Sequence, residues 1–362
     1  MDKLRVGLIF GGRSVEHEVS IASATSIQRA LDPARYEVTL IAIDHEGRWH
    51  RGDAKLPPEA SVAGDLVHPP ATPGSRALVP VSRGDLVPAT DLDVVIPIVH
   101  GRGGEDGSLQ GLLELAEIPY VGSGVLGSAV QMDKEVTKRL LRAAGVPVTP
   151  WSLVREPELR RDSTAAATRV LREVSAPMFV KPVNQGSSVG ISRVDDPGGL
   201  EAALLLAARY DTKVLVEPAI DAREIEVALL GNERLEASVP GEIRTRRAFY
   251  DYQAKYVDED TELCVPADLD DEQARRAQRL AIRAGELLEC EGLGRVDFLL
   301  ERGSGTFFVN EVNSLPGFTE TSMYPRLWEA SGLAYPALLD RLIELALERH
   351  RVRSRLETLY RG

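Results

Sequence analysis

The stretch Gly294-Arg295-Val-Asp297-Phe-Leu-Leu-Glu301-Arg-Gly-Ser304-Gly-Thr-Phe-Phe-Val-Asn310-Glu311-Val-Asn313-Ser-Leu-Pro-Gly317-Phe-Thr-Glu-Thr-Ser322-Met323 decides the reading of this chain. Two β-branched and aromatic runs flank a Gly-rich turn, the pattern of a β-hairpin. Residues two apart in a strand share a face, so Arg295 and Asp297 point one way, as do Glu311 and Asn313. With the turn centred on Ser304, Asp297 lies opposite Glu311 and Arg295 opposite Asn313. Four polar side chains then gather on one face of an otherwise apolar sheet. Facing carboxylates repel unless positive charge lies between them, and Asp, Glu and Asn oxygens suit a hard cation such as Mg²⁺. The plain alternative is a solvated hairpin face whose Arg–Asp surface pair carries little energy.

Outward from the hairpin, 362 residues exceed one ordinary core and predict two or three domains. An apolar share of 43% with 27% charged residues describes a soluble globular protein. A net charge of −12 argues against nucleic acid as the main partner, while leaving room for an anionic ligand in a locally basic pocket. Cys264 and Cys290 are the only cysteines and have no metal-ligand spacing, which predicts thiols in a reducing compartment. No signal peptide and no apolar run of spanning length is expected, so the reading is cytoplasmic and without a membrane partner.

Leu4–Phe10 reads as a buried strand ending in Gly11-Gly12, with a helix from Val15 to Leu31 behind it. Strand, Gly turn and helix open a doubly wound α/β unit, although the full dinucleotide fingerprint is missing. Glu16 is then either a helix-start acid or a carboxylate at the sheet's mouth, placed to hold an ammonium. Residues 51–90 read as a long excursion rather than a core. Asp93–Val99 is a third strand, and His100 follows at the edge where open α/β sheets bind ligands. Lys134 opens a helix over 133–144. Lys181-Pro182 leads into Gly186-Ser187-Ser188-Val-Gly190, a candidate phosphate cradle between two strands. Glu217-Pro218-Ala219-Ile220 reads as a linker whose backbone pairs with a planar heterocycle, before a strand from Glu224 to Leu230. Tyr250-Asp-Tyr-Gln-Ala-Lys255-Tyr256 is rich in Tyr within a polar stretch and reads as a lid over a site. A long amphipathic helix, 270–289, precedes the hairpin.

Taken together, these motifs resemble the D-alanine–D-alanine ligase family of the ATP-grasp superfamily nearly end to end. The resemblance rests on Gly11-Gly-Arg-Ser-Val-Glu16-His-Glu-Val-Ser, His100-Gly-Arg-Gly-Gly-Glu-Asp-Gly, Met132-Asp-Lys134, Gly186-Ser-Ser-Val-Gly190, Phe249-Tyr-Asp-Tyr-Gln-Ala-Lys-Tyr256, Gly294-Arg-Val-Asp297 and Asn310-Glu-Val-Asn313. It implies an α/β fold, α+β in the ATP-grasp part. A Rossmann-like domain (1–122) is followed by a central ATP-grasp subdomain (123–216) and a C-terminal one (217–362). It implies that ATP phosphorylates one D-alanine, that the amine of a second D-alanine displaces the phosphate, and that the product serves peptidoglycan precursor synthesis. Mg²⁺ is implied as two ions, with Mn²⁺ as a substitute, and the assembly as a homodimer.

By the same resemblance Asp297, Glu311 and Asn313 are the metal ligands, and Arg295 with the Gly317 N–H meets the oxyanion. Lys134, Lys181 and Ser188 hold phosphates, with Asn310 and Glu311 beside them and Lys255 reaching in from the lid. Residues Glu217, Pro218, Ala219 and Ile220 line the adenine site, and Glu224 binds the ribose. Glu16 takes the first ammonium in a hydrogen-bonded group with Ser187 and Tyr256. His100 lies near the substrates, and Ser322 and Met323 receive the second carboxylate. Some family members carry an acid where this chain has Gln185, a neutral residue that keeps hydrogen bonds without the charge. Ligases that add D-lactate or D-serine share the machinery, but Tyr256 resembles the dipeptide-forming type. A nucleotide-binding regulator without catalysis and a Rossmann dehydrogenase are the remote alternatives.

Overall fold

The computed structural model describes residues 3–52, 65–68, 77–80, 90–245 and 261–357. Three sheets organise it. The first has seven strands, in the order Thr90–Asp91, Ala77–Pro80, Asp65–His68, Trp49–Gly52, Tyr36–Ile43, Leu4–Gly11, Val94–Pro97. Only the last three run parallel, with Leu4–Gly11 in the centre. That central strand is a run of buried apolar residues, as a parallel strand covered on both faces must be. The excursion over 51–90 was expected to add nothing to the core. Three short strands from it instead extend the sheet antiparallel, and Val67 is buried. The strands are four residues long or less, too short for alternation to stand out among the Pro and Gly around them.

The second sheet is antiparallel, in the order Ser192–Val194, Met178–Pro182, Lys213–Pro218, Ser152–Arg155. Its apolar face, with Met178, Val180, Val214 and Val216, packs under the helices Ser163–Glu173 and Leu200–Ala207. The opposite face carries Phe179, Lys181 and Glu217. The third sheet follows the path Thr261–Cys264, Gly241–Thr245, Ala222–Gly231, Gly292–Glu301, Phe307–Asn313. Helix Asp271–Leu287 covers its apolar face. A capping box between Asp270 and Gln273 starts that helix, and Ala277, Ala281, Ala284 and Gly285 form its buried stripe. Gly285 permits the close approach, since a Cβ there would stand 2.6 Å from Leu229 Cδ1.

The C-terminal helix Tyr335–Arg353 joins the first and third sheets. Its Leu338, Leu339, Leu342 and Ile343 share one core with Val6, Leu8 and Ile96 and with Leu293 of the hairpin. Sequence reading had passed over the helix Val125–Met132, where apolar and small residues lack a clear polar face. Among the described residues no helix is long and apolar enough to cross a membrane.

Candidate active site

The hairpin forms as its pattern requires, from strands Gly292–Glu301 and Phe307–Asn313, with Arg295 opposite Asn313 and Asp297 opposite Glu311. Val296, Phe298 and Leu300 face the core, while Arg295 and Asp297 face the cleft. The register shifts between Asp297 and Phe298, leaving Asn310 as the extra residue of a β-bulge. A bulge re-aims side chains, and here the consecutive Asn310 and Glu311 both face the same cavity. Alternation alone could not have put both there.

Charges on the hairpin are tightly matched. Arg295 grips Asp297 with two hydrogen bonds of 2.7 Å each and lies 3.0 Å from Glu226 Oε2. Burial opposes its charge, but Asp297 and then Glu226 keep the guanidinium firmly protonated. Asn313 donates to Asp297 Oδ2 at 2.9 Å, and Lys134 Nζ lies 3.1 Å from Glu311. Glu226, 4% exposed and paired across the strands with Asp297, is a site residue that the sequence reading missed. The signal was present, because Glu226 sits two residues from Glu224 on the same strand face. Three carboxylates (Glu226, Asp297, Glu311) thus face two cations (Arg295, Lys134), an excess of one negative charge. An all-oxygen donor set with surplus negative charge fits a hard divalent cation. Its carboxylates are still spread among their cations. Among the described residues, the one group of three or more His, Cys, Asp or Glu side chains whose ligand atoms all fall within 4.8 Å of one another is His17, Glu18 and His45. Those two imidazoles stack at 3.9 Å with 28° between planes, and His17 Nδ1 is engaged by Gly12 O at 2.8 Å.

A cavity of about 990 Å³ lies between the second and third sheets. Lys181, Ser188, Glu217, Pro218, Ala219, Ile220 and Glu224 line it, together with Asp297, Asn310 and Glu311, as expected of the nucleotide candidates. Lys213–Glu217 forms the strand its pattern predicts, and the strand runs one residue further, through Pro218 of the expected linker. Lys181 Nζ sits 2.8 Å from Glu217 and 3.3 Å from Asn310 Oδ1. Burial would push the Glu217 carboxyl up, but Lys138 and then Lys181 hold it well below the carboxylate range. In the Gly/Ser loop, Ser187 and Ser188 take φ values of 47° and 60°, the sparsely populated left-handed region. With Val189 N–H donating to Gly186 O at 3.2 Å, the two serines are the central pair of a type I′ turn, which turns Ser187 and Ser188 toward the cavity.

A second cavity of about 360 Å³ adjoins it, with Lys134, Ser187, Glu226 and Glu311 on both walls. Glu16, His100, Arg295, Gly317, Ser322 and Met323 line this smaller one. Glu16 does stand at the start of helix His17–Ala30, in the N-cap position where the dipole favours an acid, but it makes no side-chain cap bond. Its Oε1 instead accepts from Ser187 Oγ. Its Oε2 is buried without a hydrogen-bond partner among the described residues, an arrangement that an incoming cation would satisfy. Gly186 makes room for this contact, because a Cβ there would stand 2.5 Å from Glu16 Oε2.

His100 is 3% exposed, with Nδ1 3.0 Å from Leu315 O and Nε2 3.2 Å from Ser23 Oγ. Burial pushes it toward neutral, against the pull of Glu16. Glu105 also lines this cavity and was missed by the sequence reading. It accepts from Gly101 N–H at 2.7 Å, and burial followed by the charge of Glu16 pushes its carboxyl up to about 8. Ser322 stands at the N-terminus of helix Met323–Ala330, where the backbone favours an anion. Lys255 and Tyr256, with the rest of the expected lid, lie outside the described residues.

Two family models match the chain, "D-ala D-ala ligase N-terminus" over residues 5–123 and "D-ala D-ala ligase C-terminus" over 140–344. The chain is 49% identical to D-alanine–D-alanine ligase A of Bradyrhizobium diazoefficiens, covering 99% of both. With the D-alanine–D-alanine ligase of Shouchella clausii it shares 48% identity, over 97% of this chain and 96% of the relative. Among solved structures, the D-alanine–D-alanine ligase from Coxiella burnetii superposes with a TM-score of 0.85 at 38% identity, over 98% of this chain and 97% of that one. The VanG D-Ala:D-Ser ligase from Enterococcus faecalis gives 0.84 at 34% identity, over 95% and 100%. Sequence, fold and paired cavities agree, and the chain belongs to the D-alanine–D-alanine ligase family.

Proposed function

We propose that the chain joins two D-alanine molecules into D-alanyl-D-alanine, with ATP converted to ADP and phosphate, in the synthesis of peptidoglycan precursors. One observation carries the reading. The large cavity and the small one meet at Lys134, Ser187, Glu226 and Glu311, so a nucleotide in the first would present its end to an amino acid in the second.

A carboxylate oxygen is a poor leaving group until it carries a phosphoryl group, so the reaction runs in two transfers. A carboxylate oxygen of the first D-alanine bonds the γ-phosphorus as the bond to ADP breaks. The amine of the second D-alanine then bonds the acyl carbon, gives up a proton, and phosphate leaves. Most of the residues' contribution is positioning and charge stabilisation. Glu16, oriented by Ser187 and completed by Tyr256, holds the first ammonium, and His100 stays neutral beside it. Lys134, Lys181 and the Ser188 turn hold phosphates, joined by Lys255. Adenine lies along residues 217–220 and the ribose at Glu224. Arg295, through the N–H groups not engaged by Asp297, and the Gly317 N–H meet the tetrahedral oxyanion. Ser322 and Met323 take the second carboxylate at the helix N-terminus. Asp297, Glu311 and Asn313 would hold two Mg²⁺ ions, for which Mn²⁺ can substitute, and the metal would supply positive charge against that of the phosphates.

We assign the domains as 1–122, 123–216 and 217–362, each built around one of the three sheets. The working form is a cytoplasmic homodimer, in keeping with the exposed Leu115 and Leu126, 74% and 62% accessible, and with ATP as co-substrate. The test supplies D-alanine, D-serine and D-lactate together with ATP at neutral pH and identifies the product. D-Alanyl-D-alanine with one ADP per dipeptide is expected. A depsipeptide or a D-alanyl-D-serine main product would overturn the substrate assignment, and ATP binding without ADP formation would overturn the enzyme reading.

A further inference from the structure

Lys138 is buried where a charged side chain is costly, and nothing in the reaction as described uses it. It is 1% exposed, one helical turn beyond Lys134 on helix Lys134–Ala143, and it does not line the nucleotide cavity. A buried ammonium persists only when its hydrogens and charge are answered. Here they are answered closely. Lys138 Nζ lies 2.5 Å from Glu217 Oε1, 2.5 Å from Thr149 Oγ1 and 3.4 Å from Thr149 O. The Thr149 hydroxyl in turn donates to the same Glu217 oxygen. The other oxygen, Oε2, faces Lys181 at 2.8 Å on the cavity side. Glu217 therefore stands between two lysines, one beneath the wall and one on it.

The charges give this arrangement a purpose. Lys181 paired with Glu217 alone would form a neutral couple, poorly suited to attract a polyanion. With Lys138 added, the three groups sum to one positive charge, and of the two lysines the one that lines the cavity is Lys181. Lys138 and Thr149 also occupy Oε1, which fixes the carboxylate plane and with it the position of Lys181 Nζ. We propose that Lys138 is a positioning residue of the nucleotide site. It neutralises Glu217 from behind and so leaves the charge of Lys181 available to the phosphates of ATP. The proposal rests on the ligase reading for the identity of the nucleotide, and Lys138 itself touches no substrate.

The experiment measures equilibrium binding of Mg-ATP without D-alanine, and separately the KM values for ATP and D-alanine, in the parent protein, Lys138→Met, Glu217→Gln and the double variant. Lys138→Met is expected to weaken Mg-ATP binding at least tenfold and to raise the ATP KM in step, with the D-alanine KM within twofold of the parent. The double variant removes one charge of each sign and restores the net positive charge, so it should recover at least threefold of that loss. A lysine with a purely structural role would not produce this recovery. Binding within twofold of the parent in Lys138→Met, or a double variant no better than Lys138→Met, would overturn the proposal. Should Lys138→Met fail to fold, the comparison moves to Glu217→Gln against the double variant. There the proposal expects less than a threefold difference, and a tenfold loss would sink it. A parent protein that binds Mg-ATP yet makes no ADP with D-alanine would fail the ligase reading alone, because the binding comparison stands without turnover.

Discussion

Two carboxylates on adjoining cavities, Glu217 buried and Glu105 half-buried, shift in opposite directions. Glu217, in the nucleotide cavity, is held ionised by Lys138 and Lys181. Glu105, in the smaller cavity, is pushed up to about 8 by burial and by the neighbouring charge of Glu16. Burial raises both, so the counterions decide the sign. Around Glu217 the nucleotide cavity carries a local positive excess from Lys138 and Lys181, although acids outnumber bases over its lining as a whole. The smaller cavity holds Glu16 with an unsatisfied oxygen beside His100, which burial pushes toward neutral, and under the proposed function the ligand's own ammonium would answer it. One wall is built to receive negative charge and the other to receive positive charge; Lys134 stands where they meet, and Arg295 reaches that border through Glu226.

The largest expected effect comes from breaking that meeting point. Arg295→Ala should lower kcat by about 10²–10³-fold while leaving Mg-ATP affinity within a few fold, because its charge counts mainly once the oxyanion forms. Stopped turnover together with lost nucleotide binding would show instead that Arg295 belongs to the nucleotide cavity. Its loss also leaves Asp297 and Glu226 facing each other, so thermal unfolding must be followed in the same samples. Asp297→Asn should come next, raising the Mg²⁺ concentration needed for half-maximal rate by roughly tenfold through loss of a charged ligand. An unchanged Mg²⁺ requirement would remove Asp297 from the metal set.

How far the sequence reached follows the same division. The hairpin was legible to the register, since alternation and a Gly-rich turn specify which side chains face each other. The bulge was not, because one extra residue leaves the pattern of either strand intact while turning Asn310 beside Glu311. Glu226 and Glu105 were passed over for a related reason. Each earns its place from a neighbour distant in sequence, Asp297 across the sheet for one and Glu16 across the cavity for the other. The short strands over 51–90 lie among Pro and Gly that mask any periodicity.

A pH experiment sharpens the contrast between the two acids. An unfolded Glu titrates near 4.3, whereas Glu105 in the folded chain holds its proton to about 8. The stability it contributes is therefore complete below the unfolded value and is lost as pH rises toward and through the folded one. Comparing urea unfolding of the parent with Glu105→Gln, the advantage of the parent should shrink by roughly 2–3 kcal/mol between pH 5 and 7. An identical pH slope in the two proteins would mean that Glu105 is ionised throughout this range and that the smaller cavity is more acidic than described.

The smallest effect offers the finest discrimination, because two consecutive serines sit on the boundary. Ser187 lines both cavities and donates to Glu16, while Ser188 lines only the nucleotide cavity. Both adopt left-handed backbone, and alanine shares serine's Cβ, so each Ser→Ala change removes a hydroxyl without altering that strain. A hydrogen bond to a charged group contributes about 1.5 kcal/mol, roughly tenfold in affinity. Ser187→Ala should accordingly raise the KM for D-alanine by up to tenfold with that for ATP nearly unchanged, since Glu16 loses the donor that aims it. Ser188→Ala should do the reverse. If both variants raised both KM values equally, the loop would act as one support for a single joined cavity, and the separation of the two charge environments would fail at their border.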